Sequence, residues 1–233
     1  FTFFKGIRKL RAGHYLVVQY YKVNEHEYCN IPPVAEEQML TNRRSVFEEF
    51  EFLFRDSIRI RMRSDVPYGA FLSGGLDSSS IVSIMANESS YPIQTFTIGF
   101  QDHRYDERDL ARLVAKVFNT AHNDQVVDPS TFESALEHVA FHFDEPFGDS
   151  SAIPTGHVAQ FASTKVKMVL TGDGGDEVLS GYTGYQHETF TNGLNRFPNF
   201  VKAFLNLMLS SVPEVGTDSM NYRLKRARII TQI

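Results

Sequence analysis

The sequence predicts an α/β fold, a parallel sheet with helices packed on both faces. Two features of the chain lead to this class. After Pro67, short apolar runs that end near glycine alternate with helical segments, which is the pattern of successive strand–helix–strand units. Units of this kind build parallel sheets, and their connecting helices bury both faces of the sheet.

The N-terminal part of the chain has a different pattern. Phe3–Leu10 and Tyr15–Val23 alternate loosely between apolar and polar residues, and each is predicted to be a short strand. Pro32 and Pro33 mark a polar segment that is predicted to be a linker. Apolar residues then recur at three- and four-residue intervals over Thr41–Arg63, and this spacing predicts an amphipathic helix.

The repeated part begins with the predicted strand Tyr68–Leu72. The further predicted strands are Ile93–Phe100, His122–Val127 and Val166–Thr171, and the predicted helices are Ser78–Asn87, Asp106–Phe118, Ser130–His142 and one that follows the loop Asp144–Ser151. In the second of these helices the spacing predicts a single apolar face, formed by Leu110, Leu113, Val114 and Val117. The tail from Arg196 is predicted to be mostly helical, with a break near Pro213–Gly216.

The composition excludes several classes of function. The 233 residues carry a formal net charge of −5 and a pI of about 5.9, so no overall positive field is available to hold a nucleic-acid backbone. A single cysteine, Cys29, permits no internal disulfide and no multi-cysteine zinc site. No stretch approaches the ~18 apolar residues of a membrane span. We therefore expect a cytoplasmic protein with neither a nucleic-acid nor a membrane partner.

The most informative segment is S-G-G-L-D-S-S, residues Ser73–Ser79. It lies where a buried strand ends and a helix begins, and the N-terminus of a helix offers an anion unpaired N–H groups and about half a positive charge. Gly74 and Gly75 lack the Cβ atoms that would keep a phosphate away from the backbone, and the serines add hydroxyl donors. These features predict a phosphate-binding loop. The alternative is a serine-rich turn that only caps the helix.

Asp77 is the unexpected residue of this loop, because its carboxylate would repel a polyphosphate unless a cation lay between them. We therefore expect Asp77 to bind Mg²⁺, which prefers carboxylate and phosphate oxygens together. The sequence contains neither G-x-x-x-x-G-K-[ST] nor G-x-G-x-x-G, so a Walker-type loop and a dinucleotide-binding fingerprint are not supported.

A second, acidic loop follows the last predicted strand. Asp173, Asp176 and Glu177 lie within five residues, and carboxylates about 4 Å apart repel by about 4 kcal/mol at an effective dielectric constant of about 20. They therefore either extend into water as a solvated turn or share a cation. Parallel sheets bind ligands at the carboxyl ends of their strands, so this loop is expected beside the phosphate loop. Asp77 and Asp176 are the candidate metal ligands. Asp173 is a candidate catalytic residue that either orients the substrate or later accepts a proton.

Taken together, these segments resemble a known family. S-G-G-L-D-S-S is similar to the pyrophosphate loop of N-type ATP pyrophosphatases, whose fold is adenine nucleotide alpha hydrolase-like. Four further segments belong with this loop: Arg63–Leu72, Tyr105–Glu107, Asp144–Pro146 and Thr171–Glu177. Together the five segments resemble the synthetase domain of glutamine-dependent asparagine synthetase. The resemblance implies a ligase that uses ATP and Mg²⁺ to convert aspartate to β-aspartyl-adenylate, with release of pyrophosphate. Ammonia that a glutaminase domain takes from glutamine then gives asparagine and AMP.

The resemblance also implies roles for particular residues. The pyrophosphate and its Mg²⁺ would be held by Ser73, Gly74, Gly75, Asp77 and Ser78. Leu72 and Ile98 would meet the adenosine end of ATP through their backbones. Thr171 and Gly172 would complete the nucleotide site. Asp173 matches an acidic residue that is important for forming the adenylate.

Two further segments leave alternatives open. The loop Asp144–Ser151 either lines the amino-acid pocket, as the resemblance suggests, or is a solvated connection. Its residues Asp149 and Ser150, together with Glu177, are the candidate substrate contacts. Asp106 either contacts the substrate or caps the helix that it begins.

The resemblance implies a domain organisation as well. Residues 1–30 would be the last strands of an N-terminal glutaminase-like domain with its linker, and residues 31–233 the synthetase domain, cut short before a further catalytic lysine. The full-length enzyme is expected to be a homodimer. Two alternatives stay open for the function. One is a nucleotide-binding module without catalysis, and the other is an adenylating enzyme related to β-lactam synthetases that acts on a different carboxylate.

Overall fold

The computed structural model describes residues 2–32, 35, 39, 41–182 and 185. The predicted helical tail from Arg196, with its break near Pro213–Gly216, lies outside these residues. The chain divides after Gly172 into two units, residues 1–172 and 173–233, and each is described by itself. Among the described residues, every helix is too short or too polar to span a bilayer.

An antiparallel hairpin begins the first unit. Its strands are β1 (His14–Gln19) and β2 (Lys22–Glu27). Tyr20 and Tyr21 form the turn with positive φ angles of 50° and 60°, the conformation of a two-residue type I′ turn. The prediction of one continuous strand over Tyr15–Val23 is therefore wrong, because the chain reverses inside that segment.

A parallel sheet organises the first unit. Among the described residues it has four strands, β3 (Tyr68–Phe71), β4 (Gln94–Gly99), β5 (Ala121–Val126) and β6 (Met168–Leu170), in the spatial order β5-β4-β3-β6. Each neighbouring pair is parallel. The predicted α/β class and its parallel sheet are confirmed.

The strand order creates a crevice at one place on the edge of the sheet. The chain passes from β3 to β4 and β5 in one direction, and then returns so that β6 pairs with the other side of β3. Connections on the two sides of β3 therefore diverge beyond its carboxyl end. Open α/β sheets bind ligands at such a switch point, so the loops after β3 and β6 are the first places to search for a site.

Helices cover both faces of the sheet, as predicted. The helices of the first unit are α1 (Arg43–Arg61), α2 (Leu76–Glu88), α3 (Arg108–Val117), α4 (Phe132–Phe143) and α5 (Ala152–Ser163). On one face, side chains of α1, α2 and α3 pack around Ala70 and Leu72 of the β3 end. On the other face, α5 packs against Phe96, which meets Phe161 edge-on with ring centroids 5.8 Å apart.

The predicted apolar face of α3 is wrong for three of its four residues, since only Val114 packs against the core. Leu110 and Leu113 are exposed, whereas Ala111 and Ala115 are buried in the core. The side of α3 that packs on the core is the one that carries these alanines, and the small side chains let the helix lie close to the sheet. Periodicity alone gives large apolar residues more weight than alanine, and here it selects the wrong side of the helix.

The described part of the second unit contains one short helix, α6 (Gly175–Leu179). The residue before it, Gly174, has a φ of +88°, a backbone conformation that side-chain-bearing residues rarely adopt. The helix ends at Ser180, also with positive φ. The predicted acidic loop is therefore partly helical, with Asp176 and Glu177 in the first turn.

Candidate nucleotide-binding site

The loop between β3 and α2 is held by glycine at Gly74. This residue has a φ of +83°, and a Cβ atom on it would lie 2.6 Å from Leu110 Cβ and 2.8 Å from the backbone nitrogen of Ala111. The missing side chain therefore makes room for α3, and the expected approach of a phosphate to this glycine stays a prediction. Gly75 is less restricted, since a Cβ there would meet only the hydroxyl of Ser73, at 3.2 Å.

Hydroxyl groups of two serines brace the same loop from inside. Ser78 Oγ accepts from the backbone N–H of Ser73 (3.3 Å) and lies 3.0 Å from Ser73 Oγ and 3.3 Å from the carbonyl oxygen of Gly75. The Gly75 amide in turn donates to Ser73 Oγ (3.1 Å). Two of the predicted phosphate ligands, the Ser78 hydroxyl and the Gly75 amide, thus make bonds that fix the shape of the loop.

Four other amides of the loop are unpaired. The structure records no hydrogen bond from the backbone N–H groups of Gly74, Leu76, Asp77 or Ser78 to any described residue. The last three belong to the first turn of α2, where no intrahelical acceptor exists, and the capping residue Gly75 has no side chain to supply one. Unpaired amides and the positive end of the helix dipole together form a site for an anion.

The end of β6 lies directly against this group of amides. A Cβ atom on Gly172 would lie 3.1 Å from Asp77 Cβ and 3.3 Å from the Ser78 amide nitrogen. The structure therefore brings the predicted site residues Thr171 and Gly172 to the phosphate loop, at the crevice where the strand order reverses. A side chain at position 172 would press on the amides that are free to bind an anion.

The backbone of Leu72, a predicted adenosine contact, is largely occupied. Its N–H donates to the carbonyl of Phe96 (3.0 Å), and its carbonyl accepts from the hydroxyl of Thr97. Ile98 is the second predicted contact. Its backbone N–H lies on the side that faces β3, and no hydrogen bond from it to a described residue is recorded. The sequence did not identify Thr97 as part of this site. The only signal for it was a threonine on a predicted buried strand.

One buried hydroxyl near the loop lacks a partner. Ser79 Oγ, in the first turns of α2, is shielded from solvent and makes no hydrogen bond to the described residues. Buried polar groups are usually satisfied. Ser79, one of the serines expected to supply a hydroxyl donor, therefore has its hydroxyl unpaired among the described residues.

The loop after β6 makes hydrogen bonds within its own unit at Glu177 and at the backbone of Asp176. Tyr182 donates to Glu177 Oε1 (3.0 Å), and this bond to a carboxylate raises the pKa of the Tyr182 phenol. The Gly181 amide donates to the Asp176 carbonyl (2.9 Å). Asp77 belongs to the first unit and Asp176 to the second, so their joint role as metal ligands stays a prediction. Among the described residues, no group of three or more His, Cys, Asp or Glu side chains converges as a metal site.

Asp106 is engaged by the helix that follows it. Its carboxylate forms a two-bond pair with the Arg108 guanidinium (2.8 and 2.7 Å) and accepts from the Arg108 backbone N–H (3.2 Å). This pair lowers the pKa of Asp106 from 3.8 to about 2. Arg108 also lies 3.6 Å from Asp124, which Arg112 binds at 2.6 Å. Of the two alternatives for Asp106, these contacts favour the structural one.

The loop after α4 is tied to the N-terminal segment. Glu145 accepts from the backbone N–H of Phe3 (3.3 Å) and pairs with Lys9, and these bonds lower the pKa of Glu145. The residues Phe3–Leu10 do not form the strand that we predicted, because their backbone and side chains bond to this loop and to one another. The candidate substrate contacts Asp149 and Ser150 are exposed, and Asp149 accepts from the Ser151 amide (2.9 Å).

The fold and the loop define a class: an α/β protein with a loop of unpaired amides at the switch point of a parallel sheet. The family can then be named, since the chain belongs to the asparagine synthase family, whose model matches residues 49–230. Two relatives are 35% identical to it. The Putative asparagine synthetase [glutamine-hydrolyzing] 2 of Methanocaldococcus jannaschii aligns over 205 residues, 87% of this chain and 39% of that protein. The Asparagine synthetase [glutamine-hydrolyzing] 1 of Bacillus subtilis aligns over 80% of this chain and 28% of its own length.

Two other similar proteins carry different names. Amidase chyE of Penicillium rubens is 27% identical over 84% of this chain and 32% of its own length. Among solved structures, the NH3-dependent NAD synthetase of Campylobacter jejuni aligns over 82% of this chain and 96% of that one, with a TM-score of 0.37 and 13% identity. Of the asparagine synthetases of M. jannaschii and B. subtilis and of Amidase chyE, in contrast, the chain spans less than half the length.

Proposed function

We propose that this chain is the ATP-dependent synthetase part of a glutamine-dependent asparagine synthetase and that it adenylates the side-chain carboxylate of aspartate. The observation that carries this proposal is the set of unpaired amides at Gly74 and in the first turn of α2, in the crevice between β3 and β6. Oriented amides at a helix N-terminus suit the phosphate groups of a nucleotide. Membership of the asparagine synthase family supports ATP as that nucleotide and an amide as the product.

The proposed pose of ATP follows from the positions of the unpaired groups. The β- and γ-phosphates lie on the amides of Gly74, Leu76, Asp77 and Ser78, with Gly172 leaving space on the opposite side. The adenine lies further along the sheet edge, where Ile98 offers its backbone. This arrangement leaves the α-phosphorus in the crevice between β3 and β6, within reach of a carboxylate that enters there.

The first chemical step transfers AMP to the amino acid. A side-chain oxygen of aspartate attacks the α-phosphorus, the bond from this phosphorus to the oxygen that bridges the β-phosphate breaks, and pyrophosphate leaves with the electron pair. Negative charge builds up on the leaving pyrophosphate, where the amides of the loop donate hydrogen bonds. Donors aimed at developing charge are among the largest contributions to catalysis.

The second step forms the amide. Ammonia attacks the acyl carbon of the adenylate and loses a proton, and AMP leaves with the electrons of the carbon–oxygen bond. In our proposal Asp173 either orients aspartate for the first step or accepts this proton. A glutaminase domain supplies the ammonia.

The residues present fit a bound Mg²⁺. Asp77 places a carboxylate in the same helical turn as the unpaired amides, so a cation on it would also reach phosphate oxygens. Mg²⁺ is typically held by one or two carboxylates together with phosphates rather than by an all-protein cage, and Asp176 is the second candidate ligand. When bound, the ion would neutralise phosphate charge and so allow the anionic carboxylate of aspartate to approach.

A second candidate acceptor is a carboxylate other than that of aspartate. This chain is also similar to Amidase chyE, whose name describes a different activity. The phosphate loop would be the same in both cases, and only the pocket for the acceptor would differ.

Pyrophosphate exchange tests the proposal. The protein, with Mg²⁺, should incorporate labelled pyrophosphate into ATP when aspartate is present and not when it is omitted. Asp77→Asn should raise the barrier for this exchange by about 2–4 kcal/mol, the scale for loss of one electrostatic stabiliser. Asp109→Asn is the matched control, because Asp109 is an exposed carboxylate of α3 whose partner is Arg112.

Three results are distinguishable. Exchange with another carboxylate and none with aspartate would move the assignment to the second candidate. Binding of ATP without exchange under any condition would favour a nucleotide-binding module. Near-normal exchange by Asp77→Asn would reject the metal assignment while leaving the phosphate loop intact.

A further inference from the structure

The hydrogen-bond ladder between β3 and β4 stops one bond earlier than its geometry allows. Along β4, residues alternate in the neighbour that their backbones face. The carbonyls of Ile93 and Gly99 accept from the β5 side (2.9 Å each), whereas the carbonyl of Phe96 accepts from Leu72 on the β3 side (3.0 Å). Ile98 is two residues after Phe96, so both its N–H and its C=O face the β3 side.

In a regular parallel ladder the next bond would run from the Ile98 N–H to the Leu72 carbonyl. No such bond is recorded among the described residues. The Leu72 carbonyl instead accepts from the hydroxyl of Thr97. Thr97 is buried, with 4% of its surface exposed, so its hydroxyl is enclosed at this position. A side-chain donor has taken the place of the backbone donor.

We propose that Thr97 is a positioning residue, whose hydroxyl ends the ladder at Leu72 and thereby keeps the backbone N–H and C=O of Ile98 available to an adenine base. An adenine carries a ring-nitrogen acceptor beside an exocyclic amine donor, and one residue with both backbone groups on the same side matches that pair. This inference rests on the proposed function, because it assumes that a nucleotide binds along this edge.

Thr97→Val should change the hydrogen bonding of the Leu72 carbonyl. Valine has nearly the same shape but no hydroxyl, which leaves the Leu72 carbonyl buried without a donor. The nearest backbone donor that can satisfy it is the Ile98 N–H. The ladder would then extend by one bond, and the nucleotide would lose a partner. Thr97→Ser keeps the hydroxyl and should behave as the unmodified protein does.

A matched control is available on the same strand. Thr95 is also buried, but its hydroxyl bonds to Thr120 Oγ1 (2.9 Å) and His122 Nδ1 (3.0 Å), away from Leu72. Thr95→Val therefore removes a buried hydroxyl of the same kind without releasing the Leu72 carbonyl. Any effect of Thr97→Val that is shared by Thr95→Val is a general effect on the core.

Amide hydrogen exchange and calorimetry test the inference together. Without ligand, the Ile98 amide should exchange quickly in the unmodified protein, become protected when ATP and Mg²⁺ are added, and be protected in Thr97→Val even without ATP. Thr97→Val should bind ATP about three- to tenfold more weakly, the range for loss of one hydrogen bond. Its affinity for inorganic tripolyphosphate, which has no base, should stay the same, as should the ATP affinity of Thr97→Ser and Thr95→Val.

The possible outcomes separate the two proposals. If the unmodified protein binds ATP and Thr97→Val binds it equally well, the role of Thr97 is wrong and the proposed function stands. An Ile98 amide that is already protected in the unmodified protein without ligand also overturns this role, and that measurement needs no variant. If the unmodified protein binds no ATP, the proposed function fails and this inference fails with it.

Discussion

Gly74→Ala tests how the phosphate loop is held in place. The substitution acts in two ways. Gly74 has a φ of +83°, and a left-handed backbone costs an L-residue about 1–2 kcal/mol. The new Cβ would also lie 2.6–2.8 Å from atoms of Leu110 and Ala111, and overpacking of this kind costs about 1–3 kcal/mol. The free energy of unfolding should therefore fall by about 2–5 kcal/mol.

Gly75→Ala is the matched control for this prediction. Gly75 has a φ of −65°, which any residue can adopt, and its new Cβ would meet only the Ser73 hydroxyl. Its stability should stay within about 0.5 kcal/mol of that of the unmodified protein. Urea unfolding followed by far-UV circular dichroism measures both variants, since the chain contains no tryptophan. A Gly74→Ala variant as stable as Gly75→Ala would refute the contact between this loop and α3.

Three further variants probe other parts of the structure. Asp106→Asn should lower stability by about 2 kcal/mol at neutral pH. The pKa of Asp106 is depressed by Arg108, so this contribution to stability is present above pH 3.8 and is lost as the pH falls through about 2. Urea titrations of the variant and the unmodified protein measure it. A stability difference that stays constant between pH 7 and pH 2.5 would contradict the prediction. Ser78→Ala removes the brace inside the loop and should cost about 1–2 kcal/mol, with weaker pyrophosphate binding in calorimetry. Ala111→Leu, at a fully buried position, should lower the melting temperature, whereas the same change at the exposed Val117 of the same helix should not.

Much of the fold could be predicted because the local and long-range signals agree. The strand at Tyr68–Leu72, the glycine turn and the helix after it each have their own residue pattern, and the structure contains all three within one or two residues of the predicted bounds. The Thr41–Arg63 helix was equally clear, and Asn42 begins it by accepting from the amides of Arg44 and Ser45.

The errors have physical causes that a pattern does not contain. The face of α3 was predicted from large apolar residues, but the side that packs on the core carries Ala111 and Ala115. The hairpin turn at Tyr20 and Tyr21 has positive φ at two residues that carry no glycine or asparagine signal. Long-range packing decides such positions, and a single sequence does not report it.

For the site, the sequence identified the loops but not the roles of individual atoms. Its predicted phosphate contacts at Gly75 and Ser78 stay predictions, and it did not indicate that the Gly75 amide and the Ser78 hydroxyl bond within the loop. The adjacent position of Gly172 was expected from the strand pattern and is confirmed by its distance to Asp77. The Thr97 hydroxyl takes the place of a backbone donor because of the register of two strands, and only coordinates show that register.

A titration of the isotope-labelled protein with ATP and Mg²⁺, followed by amide NMR, tests the central claim most directly. The signals of Gly74, Leu76, Asp77 and Ser78 should shift together and saturate at one affinity, and inorganic pyrophosphate should shift the same four. Saturable binding of ATP that leaves these four signals unchanged would contradict the claim that the amides at the start of α2 hold the phosphates.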